Sequence, residues 1–546
     1  MGMMMRRRLV GSIVLVTALV VPPAVSAQAD HSARPGSPVA AAALPLGPAG
    51  IGETRTTTTL QPGVTLTTIV RGTVDPSHVW TVEVAIPSTS TSPDPDAPAK
   101  NLSDRASADA LAARLRAAGF DPRVEAVVTP ATTDYAGGLL GYRVRVGRFA
   151  DKAGADALRT QLISAGFTAS SVFTGWDGSP SDLGPWRLHV LTVDPRTFEG
   201  TLTASFGPDI ENRETTSALS RLAGATAAVN AGYFVLDPAA GAPGDPAGIG
   251  VYDGRLLSET INNRPALLLR DDARRTDVQR LSWVGIVKAR STRLRLDGID
   301  RKPGLIRNCG GTPDDVPTSL PLHDFTCTDP DELIAFTPEF GATTPAGPGL
   351  EAVLDSSERV VSLREPRGGP LPDGYESVQA TGSLVGALHA VATIGERLRV
   401  VDQLHGEHGQ VVKPTFKASI VNGGPELVRD GQIYLTPAAD GFVRPLDPSF
   451  YYGFSAKRNP RTFAGVDAEG RTLLVAADGR STASLGLTIV ETAQVALALG
   501  MVDALNLDGG GSTTVVVGGQ VTNAPSDATG ERPVGDAVLV LPGRRG

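Results

Sequence analysis

The sequence predicts an α+β protein built around a substantial mixed sheet, with a small βαββαβ unit set into it. Three observations carry this. The 546 residues include 62 Gly and 42 Pro against 5% aromatics, a balance that favours many turns over long helices or a coiled coil. From residue 184 onward, short apolar runs are broken by Gly, Asp and Pro, and helical patterns are few. Finally, Ala108-Asp-Ala-Leu111, Leu115 and Ala118-Gly119-Phe120 recur with every spacing kept as Ala155-Asp-Ala-Leu158, Leu162 and Ala165-Gly166-Phe167, so one supersecondary unit occurs twice.

Composition also excludes some functions. The chain is 41% hydrophobic and 20% charged, enough to bury a core. Fifty Lys and Arg against 58 Asp and Glu leave a net charge of −8. That lacks the basic excess a phosphate-tracking DNA or RNA binder needs, so nucleic acid is not an expected partner.

At the start, Arg6, Arg7 and Arg8 precede an apolar run from Leu9 to Val21, then Pro22-Pro23 and small residues. This reads as an export signal over residues 1–29, with cleavage after Ala27 or Ala29; an uncleaved anchor is the rival, disfavoured because the run is shorter than a bilayer span of ~20 residues. No later segment is long and apolar enough to span. Residues 30–50 are expected to be a flexible N-terminal segment, and the mature protein to lie outside the cytoplasmic membrane. Cys309 and Cys327, in a Pro/Gly/Asp-rich stretch, are then expected to form a disulfide.

Gly63 to Arg71 alternates as a strand, and so does Trp186 to Asp194, so the repeat falls between two neighbouring strands of one sheet. Within the repeat, apolar positions three and four apart ending in Gly-Phe predict two amphipathic helices with glycine C′ residues. Strands are expected at Trp80 to Ile86, Val124 to Val128, Tyr142 to Phe149 and Ala169 to Phe173. The stretch from Pro87 to Pro98 is a loop inside this unit. Near the C-terminus, Arg471 to Ala477 reads as a strand, and Thr488-Ile-Val-Glu491 has capping-box spacing for a helix running to about Leu499 and ended by Gly500. Ala504 to Asp508 is the next strand, followed by Gly509-Gly510-Gly511-Ser512 and a strand from Thr513 to Val517. Three glycines permit close approach of a ligand and N–H groups facing an anion; a hairpin turn is the plainer alternative. No Gly-Lys-Ser/Thr follows, so this is not a nucleotide P-loop.

Asn, Asp, Arg and Gly cluster at other expected strand ends: Asn230-Ala-Gly-Tyr-Phe234, Arg458-Asn459-Pro460-Arg461-Thr462, Asp478-Gly479-Arg480, Asn523-Ala-Pro-Ser-Asp527 and Gly530-Glu531-Arg532. No EF-hand loop is present, and two cysteines alone cannot complete a zinc site. No metal site and no cofactor is expected; calcium is conceivable for Asp and Asn ligands but has no specific motif.

Two resemblances follow from these motifs. Tyr142-Arg-Val-Arg-Val-Gly-Arg-Phe149, then a helix and Ala-Gly-Phe, resembles the SPOR domain over residues 78–176. The resemblance implies binding to peptidoglycan glycan strands, with Tyr142, Arg143, Arg145, Arg148 and Phe149 as candidate sugar contacts; alternation puts only some of them on one face. Asn506-Leu-Asp-Gly-Gly-Gly-Ser512 with the other clusters resembles the phosphodiester glycosidase family over residues 51–77 and 184–546. That implies hydrolysis of a sugar-1-phosphodiester in a glycan or wall polymer. A phosphate leaving group needs little general-acid help and much positive charge, which suits Arg461 and Arg480. Asp508 is the first candidate for base or nucleophile and Asp478 the second. Asn230, Asn459, Thr462, Asn506, Gly509, Gly510, Gly511, Ser512, Asn523, Asp527 and Arg532 are expected to bind substrate. The alternative is a non-catalytic glycan-binding wall protein on the same fold.

Overall fold

The structure is a computed structural model, and it describes residues 43–86, 100–261, 263–270, 273–307, 312–318, 325–444 and 447–543. The expected export signal and Cys309 lie outside these residues; Cys327 is buried in the strand Phe325–Thr328. No helix among the described residues is long and apolar enough to cross a membrane.

The central sheet has eight strands, in the order Glu53–Gln61, Val64–Arg71, Trp186–Val193, Thr472–Ala477, Arg461–Asp467, Met501–Asn506, Glu426–Arg429 and Gln432–Ile433. All pairings in it are antiparallel. Side chains alternate between its faces, and both faces are buried. Leu188, Val190, Leu473 and Val475 join one core with the helix Ile489–Ala498 and the repeat unit. Leu191, Val193, Leu474 and Ala476 join another with a second sheet, which includes Ala227–Asn230, Val515–Val517 and Ala537–Leu541. Burial on both sides is why Leu473 to Ala477 is apolar without a break. The capping box forms as the spacing predicts: Thr488 Oγ1 accepts from Glu491 N, and Glu491 accepts from Thr488 N.

Val64 pairs with Val193 and Arg71 with Trp186, so the chain leaves the sheet after Arg71 and returns beside the same strand. Between them lie a four-stranded antiparallel sheet, ordered Pro122–Thr129, Gly138–Phe149, Trp80–Val84 and Ala169–Phe173, and the helices Arg105–Ala117 and Lys152–Ser164. Asp104 and Asp151 cap the two helices through Ser107 N and Gly154 N, a signal the sequence carries in both copies.

A third, larger set of strands covers the middle of the chain. The sheet containing Pro265–Leu269, Thr276–Ala289 and Ser419–Asn422 adjoins a five-stranded sheet built from Leu333–Phe336, Leu350–Leu354 and Glu376–Ala380 with its neighbours.

Candidate active site

Antiparallel register gathers the motif residues at one end of the central sheet. Arg461 opposes Ala477, which places Asp478 beside it, and Phe463 opposes Asn506, which places Leu507 and Asp508 alongside. Asn230, at the end of its strand in the second sheet, ties the two sheets together. Its Nδ2 donates to Asp508 O (2.7 Å), and its Oδ1 accepts from Thr462 Oγ1 (2.7 Å) and Thr514 N (3.1 Å). Asn230 and Thr462 are therefore fully used within the protein, and they position Asp508 rather than a ligand.

The glycine loop differs from the expected anion cradle. Gly509 N donates to Asp508 Oδ1 (2.9 Å), Gly510 N to Pro460 O (2.9 Å) and Ser512 N to Gly509 O (3.1 Å). Its glycines serve close packing. A Cβ on Gly509 would lie 2.9 Å from Pro460 O, and one on Gly511 would collide with the Asp527–Arg532 ion pair. Gly510 has φ +61°, in the left-handed region, and its α-carbon faces the Arg480 guanidinium. A short 3-10 turn, Gly510–Ser512, precedes the strand, which begins at Val515 rather than at the expected Thr513. Ser512, the last residue of that turn, is buried.

Asp478 is also a structural anchor. Its buried carboxylate accepts from Asn523 Nδ2 (3.2 Å) and Ala524 N (3.0 Å), and its second oxygen lies 3.4 Å from His189 Nε2. It fixes the 523–527 segment, where Asn523 Oδ1 takes Val515 N and Asp527 takes Arg532. Asp508 is half-exposed.

Arg461 and Arg264, like Asp508, lie close enough to Tyr233 to act on its charge. Arg461 is buried, donates to Leu487 O (3.0 Å) and to Phe454 O, and stacks 4.9 Å from the Phe454 ring. Burial, reinforced by the charge of Arg480, pushes its guanidinium down to about 10. Arg480 is exposed and held in a left-handed backbone conformation at φ +54°, with Nε 3.2 Å from Asn459 Oδ1. Asn459 Nδ2 in turn donates to Gly453 O (2.9 Å).

Sequence reasoning missed four participants. Tyr233 lies within the Asn230 motif; its hydroxyl donates to Gly424 O (2.6 Å) and accepts from Asn506 Nδ2 (2.8 Å). Burial and then the negative charge of Asp508 push the phenol up, so it stays protonated. Arg264 is buried, with its guanidinium 4.5 Å from the Phe442 ring and 5.7 Å from the Tyr233 ring, and its Nε has no hydrogen-bond partner. Burial pulls its pKa down. Phe442 and Phe454 stack at 4.8 Å and 17° between the two arginines' contacts. Only the motif around Tyr233 carried a sequence signal; Arg264, Phe442 and Phe454 come from segments with no distinctive local pattern.

Neither Arg461 nor Arg264 pairs with a carboxylate among the described residues. A buried, uncompensated guanidinium is costly, and two of them near one carboxylate form a site that an anionic group would complete. Among the described residues, two groupings of carboxylates and His lie close enough to share an ion, Asp75–His78–Asp182 and Asp297–Asp314–Asp329; neither contains a residue of this site.

The expected sugar contacts of the repeat unit are differently placed. Arg143, half-buried, and Arg145, buried, are held in ion pairs with Asp177 and Glu83, Phe149 packs beneath Gly147 and Gly154, and Tyr142 lies under Arg105. Only Arg148 is exposed.

A model of the phosphodiester glycosidase family matches residues 351–541, and one of the SPOR domain matches residues 99–174. The chain is 35% identical over 109 residues to N-acetylglucosamine-1-phosphodiester alpha-N-acetylglucosaminidase of Mus musculus, covering 20% of this chain and 21% of that protein. It thus spans about a fifth of the length of the curated relatives it matches. A solved structure from Burkholderia pseudomallei, described as a candidate exported protein, is 34% identical and covers 92% of this chain and 98% of its own, with a TM-score of 0.81. A hypothetical protein from Synechocystis shares the fold at 18% identity, covering 90% and 79%, with a TM-score of 0.51. The chain carries a phosphodiester glycosidase domain and a SPOR domain.

Proposed function

We propose that the protein is an exported, wall-associated hydrolase that cleaves sugar-1-phosphodiester bonds, of the N-acetylglucosamine-1-phosphate type, in a glycan or wall polymer. The observation that carries this reading is the pair of buried guanidiniums without carboxylate partners, Arg461 and Arg264, beside Asp508 and Tyr233. In this reading the phosphodiester sits among Arg461, Arg264 and the exposed Arg480, which hold the departing phosphate. Asp508 faces C1 as base or nucleophile, since an oxocarbenium-like transition state is stabilised by a nearby carboxylate. Asn506, whose Oδ1 has no hydrogen-bond partner, orients a hydroxyl of the substrate, and protonated Tyr233 holds the Asn506 amide in place. The domain limits follow the same reading: residues 51–77 with 184–546 form the glycosidase domain, and residues 78–176 the SPOR-like domain that brings the enzyme to peptidoglycan.

The test is incubation of the mature chain and its Asp508→Asn variant with an N-acetylglucosamine-1-phosphodiester, with products identified by mass spectrometry. Free sugar plus phosphomonoester, lost in the variant, supports the reading. Absence of turnover together with retained glycan binding would instead favour the non-catalytic wall protein.

A further inference from the structure

The sheet of the SPOR-like unit has two faces. One carries Val82, Val84, Val144 and Val146 into the core with the unit's own helices. The other presents Glu83, Arg143 and Arg145, and it is closed by the segment Pro448 to Lys457 of the larger domain. Arg145 donates to Glu83 (2.8 Å) and Asp177 (2.6 Å), and Arg143 to Asp177 (2.9 Å). Tyr452 joins the two parts: its hydroxyl accepts from Arg143 Nη1 (2.9 Å) and donates to Glu83 Oε2 (2.9 Å). Lys457 Nζ lies 3.6 Å from Glu83 Oε1, and Ser449 exchanges hydrogen bonds with the Leu102 backbone. Three acids, Glu83, Glu125 and Asp177, face four cations, Arg123, Arg143, Arg145 and Lys457.

The same segment supports the candidate phosphate site. Tyr452–Ala456 is a π-helical turn, a wider turn that redirects backbone carbonyls. Two of these carbonyls hold site residues: Gly453 O accepts from Asn459 Nδ2 (2.9 Å), and Phe454 O accepts from the Arg461 guanidinium. Asn459 Oδ1 then takes Arg480 Nε (3.2 Å). An unbroken series of hydrogen bonds and one short turn runs from Glu83, on the repeat unit's sheet, to both Arg461 and Arg480.

We propose that the SPOR-like unit is a positioning element of the phosphate site, in which Glu83 and Tyr452 hold the Tyr452–Ala456 turn so that Arg461 and Arg480 are aimed at the substrate's phosphate. The inference rests on the reading of those arginines as phosphate ligands. Glu83 is fully buried, and although burial opposes its charge, Lys457, Arg145 and Arg143 outweigh it and hold the carboxyl down to about 2. The lock is therefore ionised at working pH, and removal of any partner leaves a buried charge unbalanced. Glu83 and Tyr452 do not touch the substrate; they act through the turn.

The test uses the intact mature chain and inorganic phosphate as probe, with binding measured by calorimetry and amide hydrogen exchange followed over residues 452–461. Tyr452→Phe keeps the ring and the fold while removing both hydroxyl bonds. Phosphate binding should weaken about tenfold, the scale of hydrogen bonds to charged groups, and exchange at 453–459 should quicken. With a turned-over substrate, kcat should fall more than KM rises. Glu83→Gln should weaken binding likewise and Glu83→Asp less, while Arg116→Ala, on the unit's exposed helix, should bind as wild type. Folded Tyr452→Phe and Glu83→Gln proteins that bind phosphate as tightly as wild type, with unchanged exchange, would overturn the positioning role. A wild type that binds no phosphate would overturn the assignment of Arg461 and Arg480 itself, and the positioning role with it.

Discussion

Replacing Asn230 by Leu should cost about 4 kcal/mol of stability, mostly through one backbone group. Asn230 is completely buried and satisfies three neighbours: Asp508 O, Thr462 Oγ1 and Thr514 N. Each buried group left without a partner costs ~1–3 kcal/mol. The Thr514 N–H is fully enclosed and cannot turn elsewhere, so it sits at the upper end of that range. The Thr462 hydroxyl can rotate, and the Asp508 carbonyl lies next to a half-open residue that water reaches, so these add about 1 kcal/mol together. Urea unfolding at pH 7 should show a lower midpoint with an unchanged slope. A second variant separates polarity from packing. Asn230→Asp keeps the acceptor for Thr514 N but sets a carboxylate oxygen against Asp508 O, which raises the carboxyl's folded pKa above the ordinary ~3.9. Its penalty relative to Asn should then be small below about pH 4 and grow as pH rises, because the unfolded state releases the proton more readily. A loss under 1 kcal/mol for Leu, or a pH-independent penalty for Asp, would refute the argument.

Other consequences are as direct. Gly510→Ala introduces a side chain at φ +61° with its Cβ 3.2 Å from Arg480 Nη2; it should destabilise by about 1 kcal/mol and, by displacing the guanidinium, weaken phosphate binding, both readable on one sample. Arg264→Met keeps the packing against Phe442 while removing the uncompensated charge, so thermal stability should hold or rise while turnover falls by about 10²-fold. Glu83 has a depressed folded pKa of about 2, so its contribution is complete above its ordinary value of 4.5 and is lost as pH falls toward 2. Between pH 5 and 2.5, wild type should therefore lose more stability in urea titrations than Glu83→Gln does.

Local patterns made much of this molecule legible before any coordinates. The repeat, its two helices, the strand pair flanking it and the Thr488–Glu491 cap are set by spacing along the chain, and spacing survives folding. The gathering of Arg461, Asp478 and Asp508 was also legible in part, because the motifs end predicted strands. What those residues contact was not. Alternation puts Arg143 and Arg145 on one face of their strand but is silent on what covers that face, and Tyr452 comes from more than 300 positions away. The glycine loop suggested free N–H donors, yet those of Gly509, Gly510 and Ser512 are taken by Asp508, by Pro460 O and by the loop itself, a partner set that depends on tertiary packing. Arg264 and the Phe442–Phe454 stack are assembled only by the fold, and they became visible through the physical oddity of buried guanidiniums without carboxylates.

The most direct test of glycosidic cleavage at Asp508 is hydrolysis of an N-acetylglucosamine-1-phosphodiester in ¹⁸O-labelled water, followed by mass spectrometry of both products. Attack at C1 places the label in the released sugar and none in the phosphomonoester, with turnover abolished in Asp508→Asn. Label in the phosphate would mean that the P–O bond breaks and that the arginines serve a phosphodiesterase, contradicting the account.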